Sequence, residues 1–193
     1  FMPLVNEKAS PIILCYAGEL KLFGYPNHQR LSFEVHFPML PVENIPSSED
    51  WGPIQDGDSW TRKIYIGKSL NEVIYRFSEL PTSVAEDLSF MADGPFRYYI
   101  FGFQKILFPS DGDEKMQAED PGLAANAFLN VVHSTLKQCP HKIMPVMEQL
   151  LPTVEYVAGN QATYEAAEEV FGNFQEILTQ IQFLYSIRQC EIC

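Results

Sequence analysis

The sequence predicts an α+β fold: an N-terminal antiparallel hairpin or small sheet, followed by a bundle of five or six helices. Three observations predict it. Residues 30–37 alternate, with Leu31, Phe33, Val35 and Phe37 on one face and Ser32, Glu34 and His36 on the other, which is the period of a strand. Residues 19–23 alternate as well, and the turn-rich connector 24–29 joins the two runs as a hairpin. From Ser69 onward the apolar residues recur every three to four positions, the spacing of helices.

Taken in order, Pro11-Ile12-Ile13-Leu14-Cys15-Tyr16 is a short apolar run with the look of a buried strand. Residues 38–60 contain Pro38, Pro41, Pro46 and Pro53 and read as a long irregular loop, with Trp51 and Trp60 expected to pin part of it by burial. Residues 61–66 are a candidate further strand. These parts make a strand-rich segment, 1–67, ahead of a helical bundle, 68–193, the two forming one compact domain.

In the helical part, Ser69-Leu70-Asn71-Glu72 is a capping box, followed by Val73, Ile74 and Phe77 at helical spacing. Ser83-Val84-Ala85-Glu86 is a second box, opening a short helix toward Phe90. Residues 95–108 are apolar on most sides: Phe96, Tyr99, Ile100, Phe103, Ile106 and Leu107 form a broad face, and Tyr98 and Phe101 fall outside it. The sequence therefore makes this the helix around which the others pack. Residues 109–120 are an acidic loop. Asp120-Pro121 reads as a cap and first-turn proline of a helix ending near Cys139-Pro140. Residues 142–158 are a helical pair or one kinked helix, with breaks at Pro145 and Pro152. The last helix is expected to run unbroken over 161–189, roughly 40 Å.

Leu88, Phe90 and the run Phe96-Arg97-Tyr98-Tyr99 resemble a family of small uncharacterised bacterial proteins with an F-R-Y-Y helix. The resemblance spans about residues 67–175, with 151–157 and 167–174 in the places of that family's last two helices. It implies a helical core and assigns no activity, cofactor or site residue.

The chain has 193 residues, 46% hydrophobic and 13% aromatic, enough for the core of one domain. Its 13 basic and 25 acidic residues give a net charge of −12, spread over both halves. Such a surface repels phosphate backbones and anionic lipid, so nucleic acid and membrane are not expected as partners. A basic protein partner suits it. A cytoplasmic location is expected, since no basic leader with a long apolar core opens the sequence and no run approaches a membrane span. Four cysteines in a chain of this length do not make a disulfide scaffold.

Candidate chemistry is sparse. Cys139, His141, Cys190 and Cys193 are ligand types for zinc, but without a second paired motif no metal or cofactor is expected. Cys190 to Cys193 also matches a prenylation box formally, against which Glu191 and the absence of a polybasic segment argue. Ser32, Glu34 and His36 lie along a strand face, which does not converge them for catalysis. His133, on a helix beside Val131 and Val132, reads as a satisfied or half-exposed residue and not as a ligand. Asp56-Gly57-Asp58 and Asp111-Gly112-Asp113-Glu114 lack the full spacing of a calcium loop.

No catalytic residues emerge. The leading expectation is a non-catalytic acidic interaction protein that neutralises or sequesters a basic partner, monomeric more readily than dimeric. The alternative is an enzyme or small-molecule binder with a site between sheet and bundle, drawing on Trp51, Trp60, Arg97 and Tyr98.

Overall fold

Among the described residues there is no strand, and the α+β expectation gives way to an all-helical fold. The computed structural model describes residues 44–54, 58–108 and 117–192; the hairpin expected over 19–37 and the acidic stretch 109–116 lie outside them. The helices are α1 (Asp58–Tyr65), α2 (Leu70–Glu79), α3 (Pro81–Phe90), α4 (Asp93–Tyr99), α5 (Phe101–Leu107), α6 (Pro121–Gln138), α7 (Pro140–Gly159), α8 (Glu168–Phe171) and α9 (Phe174–Ile192), with a 3-10 turn at Gln161–Tyr164.

The candidate strand at 61–66 is helix α1. Six residues containing Thr, Ile, Tyr and Ile satisfy a strand's composition, yet Thr61 and Tyr65 are both buried, four apart, on one helical face. The Tyr65 hydroxyl donates to Asp87 Oδ2 at 3.1 Å, and Arg76 reaches the same oxygen at 3.0 Å, which ties α1, α2 and α3 together. Burial drives the Tyr65 hydroxyl pKa far up, so it stays a donor.

Helix α2 opens as expected: the Glu72 carboxylate accepts from the Ser69 N–H and O–H, each at 2.7 Å. Helix α3 begins at Pro81, so Ser83 lies inside it rather than at its cap. The buried helix expected over 95–108 is broken at Ile100 into α4 and α5. At this joint Gly102 meets the ring of Phe77 closely enough that a Cβ would overlap it.

The helix with the most neighbours is α6, not 95–108. It packs against α3, α5, α7 and α9. Ala124, Ala125 and Ala127 let these neighbours come close, while Phe128, Leu129 and Val132 are fully buried among them. Its start follows the sequence: Asp120 Oδ1 accepts from the Leu123 N–H at 2.8 Å and Pro121 follows the cap. Helix α7 is one helix that keeps both Pro145 and Pro152 inside it.

The long helix expected over 161–189 is interrupted. Glu165 is left-handed (φ 53°) and Gly172 has φ 74°, so the chain turns twice before α9 begins. Gln161 holds the turns: its Nε2 donates to the carbonyls of Ala166 (3.0 Å) and Gly172 (2.8 Å), and its Oε1 accepts from the Phe174 N–H (2.9 Å) at the start of α9. Helix α9 then lies on α6 and α7, with Phe174 and Ile181 fully buried.

Candidate interaction surface

Among the described residues, the four residues expected to line a ligand site are not gathered around one cavity, and only Trp51 borders the cleft described below. Trp51 is 2% exposed, its ring under the Arg62 guanidinium at 5.8 Å and beside Tyr99 at 6.3 Å. Arg62 also donates to the carbonyls of Trp51, Gly52 and Pro53 at 2.6, 3.0 and 2.9 Å, which fixes this turn. Trp51 thus pins the loop as expected, whereas Trp60 stands on α1 with 64% of its surface in solvent. The Tyr98 hydroxyl accepts from the Leu70 N–H at 3.1 Å, satisfying a free amide in the first turn of α2. Arg97 donates to the carbonyls of His141 (2.7 Å) and Lys142 (2.9 Å) and reaches Asp93 at 3.3 Å. Trp51, Arg97 and Tyr98 are therefore engaged in holding the fold.

A cleft of about 590 Å³ lies where the 50–51 turn, the α3–α4 junction and the start of α7 meet. Asp50, Asp93, Cys139, His141 and Lys142 bring polar groups to it. Most of these groups already have partners. Asp93 faces His141 at 3.5 Å as well as Arg97, and Lys142 Nζ donates to the carbonyls of Ser89 (3.2 Å) and Met91 (2.7 Å) at the end of α3. Cys139 and His141 share the cleft, yet no hydrogen bond joins them, and positions two apart at a helix start do not face each other. That leaves no nucleophile–base pair here. Among the described residues no three His, Cys, Asp or Glu side chains come together as a metal site.

A different surface stands out along α7 and α9. Between Lys142 and Arg188 the sequence has no Lys, Arg or His, while Glu148, Glu155, Glu165, Glu168, Glu169 and Glu176 all fall within it. This run folds into most of α7, the turns around α8, and α9. All six carboxylates are on exposed residues. Helices α7 and α9 run antiparallel: Gln175 Nε2 donates to the Ala158 carbonyl at 2.9 Å, and Gln182 Nε2 to Glu155 Oε1 at 3.2 Å. Further along, burial and then the nearby Glu148 carboxylate push the Tyr185 hydroxyl pKa up. Glu155 and Glu148 thus flank α9 along its length. The acidic turn ahead of α9 is held firmly, by the Gln161 bonds and by Asn173, whose Nδ2 donates to Glu168 Oε1 at 3.0 Å. Val170 projects from this turn with 73% of its surface exposed. A count of charges along the sequence could have found this surface; a search for catalytic motifs passes over it.

Comparison of the chain with protein-family models, with curated proteins and with solved structures finds no match. Among the described residues no helix is long and apolar enough to cross a membrane.

Proposed function

We propose that this chain is a non-catalytic interaction protein whose acidic α7–α9 surface binds, and so neutralises or sequesters, a basic protein partner, in the cytoplasm. The observation that carries this reading is the run 143–187, which holds six carboxylates and no cation and folds into one pair of packed helices and their connecting turns. Carboxylates gathered on a firmly held scaffold steer an oppositely charged partner and disfavour a like-charged one. Support also comes from the cleft, where the polar groups serve mainly to join helices.

The test is a titration with a disordered Lys/Arg-rich peptide at low and at physiological salt. One variant carries Glu165→Gln, Glu168→Gln, Glu169→Gln and Glu176→Gln. A control carries Glu49→Gln, Glu79→Gln, Glu86→Gln and Glu119→Gln, four exposed acids elsewhere with the same total charge change. The first variant is expected to lose about tenfold more affinity than the control. Equal losses would mean that the peptide senses net charge alone and that the surface is not a binding site.

A further inference from the structure

A second cavity, of about 210 Å³, lies between the end of α5, the start of α6, Tyr156 of α7 and the 3-10 turn at Gln161–Tyr164. Its lining is mostly apolar. Ile106, Leu107 and Pro121 contribute to it, and the rings of Phe108 and Tyr156, which meet edge to face at 5.1 Å, form an aromatic wall. Among the described residues no charged side chain lines it. Tyr164 is 6% exposed and borders the cavity. Among the described residues its hydroxyl has no hydrogen-bond partner, and the oxygen is not sealed from solvent. The other polar side chains at the cavity include Gln117 and Thr163, both on exposed residues. A buried side chain that borders an apolar cavity and keeps an unused polar group can hold a ligand in one orientation. Burial, and then the nearby Tyr156, push the Tyr164 hydroxyl pKa far up, so it stays protonated and can donate.

We infer that this cavity binds a small uncharged molecule with one aromatic ring and a carbonyl or ether oxygen, which accepts a hydrogen bond from the Tyr164 hydroxyl. The inference goes beyond the interaction reading and does not depend on the acidic surface. Size, walls and charge set the class. A dry apolar cavity of about 150 Å³ holds benzene, so about 210 Å³ has room for one ring with a short substituent. Aromatic walls favour a flat ring over a branched aliphatic body. An ion would shed its water here and meet no opposite charge.

Acetophenone is the probe, titrated into the full chain and followed at the backbone amides of Ala118, Thr163 and Tyr164 by heteronuclear NMR. Binding is expected at these amides with a Kd of about 1 mM or tighter. Benzoate and benzylammonium, ions of similar size, should bind about tenfold or more weakly. Toluene, which fits but has no acceptor, is the reference for Tyr164→Phe. That variant keeps the ring and removes only the hydroxyl. Its affinity for acetophenone should fall about three- to tenfold while its affinity for toluene holds. The ratio of the two affinities carries the comparison even if the variant melts earlier. No shift at these amides near the solubility limit of acetophenone overturns the inference, as does either ion binding as tightly as acetophenone. An unchanged ratio in Tyr164→Phe overturns it too, because the hydroxyl then holds no ligand.

Discussion

Arg97 stands in for the hydrogen bond that Pro145 removes. Inside α7, Pro145 has no N–H to give to the carbonyl of His141 one turn earlier, and the Arg97 guanidinium, from α4, donates to that carbonyl at 2.7 Å and to the adjacent Lys142 carbonyl at 2.9 Å. Lys142 in turn reaches back to the carbonyls of Ser89 and Met91. Two cations thus cross between elements to satisfy carbonyls one turn before a proline and at a helix end.

This pairing predicts a coupling. Arg97→Ala should cost about 2 kcal/mol, since it strips charged donors from two carbonyls. Pro145→Ala restores an N–H for the His141 carbonyl. That restoration should therefore stabilise the Arg97→Ala protein more than the wild type, by at least about 0.5 kcal/mol in a denaturant double-mutant cycle. Strict additivity would show that the two residues act separately.

At the joint between α4 and α5, Gly102→Ala should destabilise by about 1–3 kcal/mol, because its methyl would overlap the fully buried ring of Phe77. Phe77 also meets Phe103 edge-on at 5.2 Å, so a shifted ring disturbs a second aromatic. Adding Phe77→Leu to Gly102→Ala should recover part of the loss in thermal melts. No recovery would place the strain in the backbone instead of the ring.

His133 on α6 gives a pH prediction. Burial, and then the charge of Lys137, hold its pKa below the ordinary histidine value. The folded state therefore binds that proton less readily than the unfolded chain. The neutral form's contribution is intact above the unfolded pKa of about 6.5 and is lost as pH falls from there through the folded value. The melting temperature of the wild type should drop more between pH 7.5 and 5.5 than that of His133→Gln. Parallel curves would show that His133 titrates alike in both states.

Two of the three local helix starts were legible in the sequence, the Ser83–Glu86 box being preempted by Pro81, and distant signals were not. The Ser69–Glu72 box and the Asp120–Pro121 start each depend on residues within one turn, and both stand as read. Residues 61–66 are too few to separate a period of two from one of 3.6, and the apolar face formed by Thr61 and Tyr65 is decided by what packs on it. The break before α9 depends on Gln161 bonding to residues five to thirteen positions on, which no helical periodicity reveals. The main partners of Arg97 are hidden from the sequence because the carbonyls it serves belong to α7, far away in the chain. The acidic run from 143 to 187 is averaged away when charge is totalled over each half of the chain, and it becomes one surface only through the antiparallel pairing of α7 and α9.

The two sides of α9 should respond to charge in opposite ways. Ile181 is fully buried between α6 and α7, and Leu178 is half-buried. An aspartate at 181 would sit without a partner in an apolar surround, costing several kcal/mol, on the order of what other buried unpaired charges cost, unless it takes up a proton. Leu178→Asp should cost less, since water reaches part of that site. Phe183→Asp, on the exposed side, should leave stability within about 0.5 kcal/mol of the wild type. The expected order of destabilisation in urea is Ile181→Asp, then Leu178→Asp, then Phe183→Asp. If Phe183→Asp unfolds the protein, the outer side is part of the core. If Ile181→Asp is tolerated, α9 is not packed on α6 and α7 in solution. The order separates the side of the helix that holds the fold from the side exposed to solvent.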